Sequence, residues 1–392
     1  MKFLRQIHPT ILLLGFVSLL NDLAGELIMA VLPTFLINLP GSGGWVVGLI
    51  GGLEDGVRSV LSLIFGGWAD RHGRKKPFII LGYFIPSVSR ILLPFSTHWT
   101  MVLGFRVIDR VGKGIRTAPR DALMADVVAE GARGINFGFH RAMDTAGALA
   151  GSVLAFVFYW WLGLELKWVI LIGGLVSMTS LIPLLFVQET NSKPNHRTLL
   201  GGLSELPRIF YWNLGAMALF ALGNFSYMLF LLKVNSAFTD QRAVGIPILM
   251  YIIYNLVYTA FATPAGILSD RIGRRSVLLI GYGLFTLACA GFAYATQVWA
   301  FVPLFMVYGL AYAFIESNQK AFVADVSPVE QRATAMGVFQ LTVGLASLVG
   351  SAFAGWLWGT QESSHALTFY YGSVMALVGV IALLALARLK RS

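Results

Sequence analysis

The sequence predicts an all-α membrane protein of twelve transmembrane helices, arranged as two six-helix bundles related as parallel repeats. Three observations carry this expectation. Only 12% of the 392 residues are charged and 57% are hydrophobic, whereas a soluble domain carries about 25% charged residues. Most of the chain therefore faces lipid rather than water. Apolar runs of helix length recur in two sets of six, and two blocks of sequence recur half a chain apart.

Runs broken by Gly, Pro or charge place the first set of helices at roughly 10–37, 45–69, 77–96, 99–126, 134–162 and 168–187. The second set falls at roughly 208–236, 243–269, 276–296, 298–325, 332–358 and 365–388. Between them, QETNSKPNHRTLLGGLSELP is the only long polar stretch, and it reads as a linker over 188–207. The domains expected are thus 1–187, a bundle, and 208–392, a second bundle. The opening MKFLRQIHPTILLLGFVSLL imitates a secretory leader, with a basic head before an apolar stretch. However, the apolar pattern resumes after Glu26 with no clear small-residue cleavage site, so a retained first helix is expected.

The net charge of +10 raises the possibility of nucleic-acid binding, but its distribution excludes it. Lys2, Arg5, Arg71, Arg74, Lys75, Lys76, Arg133, Lys193, Arg197, Arg208, Arg271, Arg274, Arg275, Arg332, Arg388, Lys390 and Arg391 fall at alternating segment ends. The opposite connections carry little beyond Lys167 and Arg242. Basic loops stay on the cytoplasmic side, which predicts a multi-pass inner or plasma membrane protein with both termini inside. The single cysteine, Cys289, lies in an apolar run and cannot form an intrachain disulfide. No HExxH, GxSxG, phosphate loop or metal cluster stands in the sequence, so neither enzyme chemistry nor a cofactor nor a bound metal is expected.

GGWADRHGRKKPFIILGY, from Gly66, matches TPAGILSDRIGRRSVLLIGY so that Asp70 pairs with Asp270, 200 positions on. ALMADVVAEGARG, from Ala122, matches AFVADVSPVEQRA, from Ala321, at an offset of 199. Asp126 then pairs with Asp325, Arg133 with Arg332, Gly138 with Gly337 and Gly151 with Gly350. Because six is even, both halves enter the membrane from the same side. Transporters of this plan hold substrate between the halves near the midplane and rock one against the other.

The loop GGWADRHGRK resembles the GxxxDRxGRK signature of the major facilitator superfamily, here Gly66, Asp70, Arg71, Gly73 and Arg74, repeated as Gly266, Asp270, Arg271, Gly273 and Arg274. The second Gly of each copy suits a left-handed chain reversal. The resemblance implies a cytoplasmic latch: Asp70 beside the N-terminal end of the eleventh helix, Arg74 on Asp126 and, by the repeat, Arg274 on Asp325. It also implies secondary transport by alternating access. Gly147 and Gly151 resemble the antiporter signature of that superfamily, with Ser152 where a Pro is usual.

Ionisable groups inside a bilayer cost a few kcal/mol each and are functional candidates by default. Asn21, Asp22 and Glu26 fall on the first helix, and the two acids share a face. Because the first helix lines the cavity in the resembling superfamily, Asp22 and Glu26 lead the proton-coupling candidates, with Asp109 and Asp144 behind them. A carboxylate near a cation in low dielectric can exchange a proton as its surroundings change. Arg106, Asp109, Lys113, Arg116 and Arg120 step by three and four along the fourth helix, a single stripe that cannot face lipid. The superfamily's usual Arg with a following Gly is represented there by Arg106 with Gly112 or by Arg110 with Gly114. Candidate cavity residues are Asn21, Arg58, Arg106, Arg110, Lys113, Arg116 and Arg141 in the first half, and Asn224, Tyr227, Tyr251, Tyr254, Glu316 and Asn318 in the second. This division suggests an N-terminal half that handles protons and a C-terminal half that offers aromatic and amide contacts. The function expected is proton-coupled export of a small organic or amphipathic, drug-like solute by a monomer in the lipid bilayer. The alternatives are a carrier of an organic anion, metabolite or metal chelate, and a receptor or channel.

Overall fold

A computed structural model describes residues 7–53, 61, 75–128, 133–188, 206–327, 332–359 and 362–389. Arg58, Gly66, Asp70, Arg71, Gly73 and Arg74 lie outside the described residues. The helices are α1 (Pro9–Met29), α2 (described over Gly44–Leu53), α3 (Lys76–Leu92), α4 (Trp99–Val127), α5 (Arg133–Phe156) and α6 (Leu166–Thr179). They continue as α7 (Arg208–Gly223), α8 (Arg242–Ile272), α9 (Arg274–Tyr294), α10 (Val298–Asp325), α11 (Arg332–Trp358) and α12 (Glu362–Leu389). Among the described residues, ten helices are long and apolar enough to cross a membrane. Of the two others, α2 is described over only ten residues, and α4 is 29 residues long but carries the charged stripe.

Three predicted helices are each broken into two segments. The first pauses after Met29 and resumes as Leu32–Ile37, with Pro33 in its first turn. The sixth pauses at Ser180, before Leu181–Leu185. The seventh stops at Asn224, which leaves helical geometry, and restarts as Tyr227–Asn235, where the Ser226 hydroxyl accepts the Met228 N–H. Such side-chain acceptance satisfies one of the backbone donors orphaned at a new helix start.

The chain folds into two compact units: unit 1 comprises 1–35 and 57–198, and unit 2 comprises 36–56 and 199–392. In unit 1, α5 lies on α1 and α3 lies on α4, with glycine at both crossings. A Cβ at Gly151 would overlap the Leu23 carbonyl oxygen, and one at Gly82 would meet the Gly112 carbonyl oxygen and the Arg116 backbone at 2.8 and 2.9 Å. Unit 2 repeats both crossings 199 positions on. Gly350 of α11 sits on the carbonyl of Leu222 in α7, and Gly281 of α9 sits on Ile315 of α10. Backbone approach this close is how helices associate where lipid offers no hydrophobic driving force. The described part of α2 packs in unit 2, where its stripe Gly44, Gly48 and Gly52 abuts Trp358, Gly355 and Ser351 of α11.

Gly273 separates α8 from α9 with φ of +89°, a conformation only glycine adopts without strain. Gly273→Ala should lower stability by about 1 kcal/mol or more. The check is thermal unfolding of the purified variant against the wild type.

Candidate functional site

Unit 1 encloses a centre of charge. Asp109 on α4 has a side chain only 2% exposed, and three guanidinium groups surround it. Arg90 of α3 donates from Nε to Asp109 Oδ1 at 2.7 Å, while Arg110 Nη2 and Arg106 Nη1 lie 3.3 and 3.6 Å from Oδ2. Arg90 also ties in two further helices, donating from Nη1 to the Asn21 carbonyl (3.1 Å) and side-chain oxygen (3.0 Å) on α1 and to Ser177 Oγ (3.1 Å) on α6. Asn21 in turn donates to Asp22 Oδ1 at 3.1 Å. Arg116 donates to the Gly82 carbonyl at 2.9 Å, and its guanidinium lies 4.1 Å above the Tyr83 ring. The helix-four stripe thus turns inward, with Arg106, Asp109 and Arg116 buried and Arg110 buried beside them, while Met101 and Ile108 lie exposed. Lys113 and Glu26 are half-buried.

At the corresponding positions of unit 2 the charge is gone. Asn21, Arg90, Asp109 and Arg106 have Phe220, Cys289, Tyr308 and Phe305 as their counterparts 199 positions on, all buried. Aromatic packing replaces the ion pairs: Phe220 stacks on Tyr282 at 3.7 Å between ring centres, and Phe230 stacks on Tyr308 at 4.3 Å. Stacking of this kind is worth about 0.5–1.5 kcal/mol per pair beyond area burial.

The tyrosines expected from the sequence come together in unit 2, with others that the sequence did not single out. Tyr251, Tyr254 and Tyr258 follow one face of α8; Tyr227 stacks on Tyr251 at 5.0 Å, and Tyr254 stacks on Tyr308 of α10 at 4.9 Å. Tyr312 donates its hydroxyl to Asn224 Oδ1 at 2.7 Å, and Tyr258 donates to Glu316 Oε2 at 2.5 Å. Lys320 Nζ donates to Glu316 Oε1 at 3.0 Å, one turn away. Tyr227, Tyr254, Tyr258, Tyr312 and Glu316 are only half-buried, so this strip keeps an open side. Asn318 does not join it: it is 1% exposed and donates back to the Phe314 carbonyl within its own helix.

On α5, Arg141 is exposed over 67% of its side chain and lies 4.0 Å from Asp144, whose other oxygen is 3.6 Å from His140 Nδ1. At the ends of α4 and α10 the repeat-related aspartates are both paired. Arg274 Nε donates to Asp325 Oδ2 at 3.2 Å, and Arg274 Nη2 lies 2.6 Å from Asp270. In unit 1 Lys75 donates to Asp126, and the Arg74 expected at the same aspartate lies outside the described residues. Gly266 has open space around it, and Arg271 is exposed.

The profile of the Major Facilitator Superfamily matches residues 14–239 and 214–392. An uncharacterised MFS-type transporter of Methanocaldococcus jannaschii is 41% identical over 384 residues, covering 97% of this chain and 95% of that one. The multidrug resistance protein MdtH of Photorhabdus laumondii is 24% identical over 370 residues, covering 91% and 89%. Among solved structures, the nucleoside transporter NupG superposes with a TM-score of 0.76 at 19% identity, over 96% of this chain and 98% of that one. Twelve-helix duplication, glycine crossings and sequence relationship agree: the chain belongs to the Major Facilitator Superfamily, a family of membrane transporters of small molecules and not of enzymes.

Proposed function

We propose that this secondary transporter is driven by protons and exports a small amphipathic solute bearing a planar aromatic group. The observation that carries the reading is the half-open tyrosine strip of unit 2, with Asn224 and Glu316 as its few polar groups. Pockets for such solutes are mostly apolar and aromatic with a small number of placed polar groups. The name of the Photorhabdus relative, a multidrug resistance protein, points the same way. Proton exchange falls to Asp22 and Glu26, which share a face of α1 and are both half-buried. Asp109 is assigned to the framework: it is the shared anion of three guanidinium groups. The chain works as a monomer of two six-helix halves joined by the polar 188–207 connector, with both termini cytoplasmic.

A second reading, export or uptake of an organic anion, draws on the cationic stripe of α4. A thermal-shift screen of purified protein against planar aromatic cations, neutral aromatics, aromatic carboxylates and aliphatic analogues separates the two. Stabilisation by aromatic solutes but not by aliphatic ones of equal hydropathy supports the first reading. A requirement for the carboxylate supports the second. Tyr254→Leu should weaken binding of the best aromatic solute about tenfold, and Tyr254→Phe should preserve most of it, since the ring supplies the contact.

The Arg274–Asp325 pair is proposed as part of the cytoplasmic latch. Asp325 is 57% exposed, and exposed ion pairs contribute about 0–1 kcal/mol. Asp325→Asn should therefore leave the unfolding temperature almost unchanged while altering the transport rate. Equal loss of stability and transport would make the pair merely structural.

A further inference from the structure

We propose that His140 is a proton-binding residue of unit 1, with Asp144 as the anion that holds its charged form. This rests on the proton-driven reading above but adds a group from a different helix. The imidazole is 4% exposed, its Nδ1 lies 3.6 Å from Asp144 Oδ1, and its Nε2 has no hydrogen-bond partner among the described residues. A neutral imidazole with its N–H on Nδ1, facing the carboxylate, leaves a bare lone pair on Nε2. A proton arriving there forms one N–H bond and converts the ring to imidazolium. The net charge of the His140–Asp144 pair then rises from −1 to zero, and the reverse step releases the proton.

The surroundings make that charge change consequential. Asp22 of α1, Arg120 and Asp121 of α4, and Arg141 of α5 all lie within electrostatic reach of the ring. Asp22 is also one of the acids assigned to proton exchange, so protonation at His140 acts directly on it. Asp144 is the i+4 neighbour of His140, which keeps the two groups on one face of α5. One ring nitrogen faces a carboxylate and the other has no partner among the described residues.

The test needs no solute. Protein carrying ¹⁵N-labelled histidine, reconstituted in phospholipid nanodiscs, is titrated between about pH 4 and pH 9, and the His140 resonance is identified by its loss in His140→Gln. The expected result is a titrating imidazole whose proton affinity falls about tenfold in Asp144→Asn, one pH unit of midpoint. A His140 signal that keeps one tautomer throughout, or one indifferent to Asp144→Asn, overturns the proposal. The Asp144→Asn comparison retains His140, so it remains decisive if His140→Gln does not fold. A silent His140 in a protein that still moves protons with its solute sinks this inference alone. A titrating His140 in a protein whose transport ignores the pH gradient sinks the proton-driven reading instead.

Discussion

Asp109→Ala should be the most damaging single substitution in unit 1, abolishing folded protein or lowering its unfolding temperature sharply. The carboxylate is the shared anion of Arg90, Arg106 and Arg110, with side chains between 2% and 9% exposed. Removing it deprives those buried cations of their shared carboxylate, and breaking a buried pair from one side costs about 3–5 kcal/mol. That is a large share of the roughly 5–15 kcal/mol separating a domain from its unfolded state. Asp109→Asn keeps an oxygen for Arg90 but loses the charge, so it should be milder and still clearly destabilised. The readout is thermal unfolding and monodisperse yield in detergent. Asp240→Asn, on an exposed ion pair with Arg242, serves as the control and should leave the unfolding temperature almost unchanged.

Gly151→Val and Gly350→Val should be nearly as severe, and equally so. Each glycine carries a helix crossing in which any Cβ would overlap a backbone carbonyl, that of Leu23 or Leu222. Backbone cannot rotate aside as a side chain can. The helices must separate, and overpacking of even flexible cores costs about 1–3 kcal/mol. Gly104→Ala and Gly215→Ala, where nothing lies within 4 Å of the added atom, should be tolerated. Folded yield by size-exclusion chromatography separates the two classes. Tolerance at Gly350 with loss at Gly151 would show that the two crossings are not equivalent.

The architecture was legible because lipid enforces long apolar runs and duplication repeats whole motifs. The loop blocks, the Asp126 and Asp325 equivalence and the Gly151 and Gly350 pairing all follow from residue identity. The inward face of α4 was legible too, since charge cannot be left in hydrocarbon. What the sequence hid was partnership. Arg90 stands far from Lys76, the other charge of an otherwise apolar helix, and nothing in its neighbours announces that it joins α1, α4 and α6 through Asn21, Asp109 and Ser177. Residue type alone could not separate Asp109, enclosed by arginines, from Asp22, which stays half-buried beside Asn21. Nor could spacing find Tyr308 and Tyr312. They align with Asp109 and Lys113 only at the offset of 199, and the exchange of ion pair for aromatic stack appears once both units are folded. The helix breaks near Met29, Ser180 and Asn224 were missed because apolar composition runs straight through them.

The decisive measurement is proton movement in liposomes holding a pH-sensitive dye, started by adding a solute that the thermal-shift screen has identified as a ligand. The expected result is solute-dependent proton flux that saturates, and that disappears in the Asp22→Asn, Glu26→Gln double variant while solute binding persists. Solute crossing the membrane at the same rate with the pH gradient collapsed, and with no proton movement, would contradict proton-driven carriage.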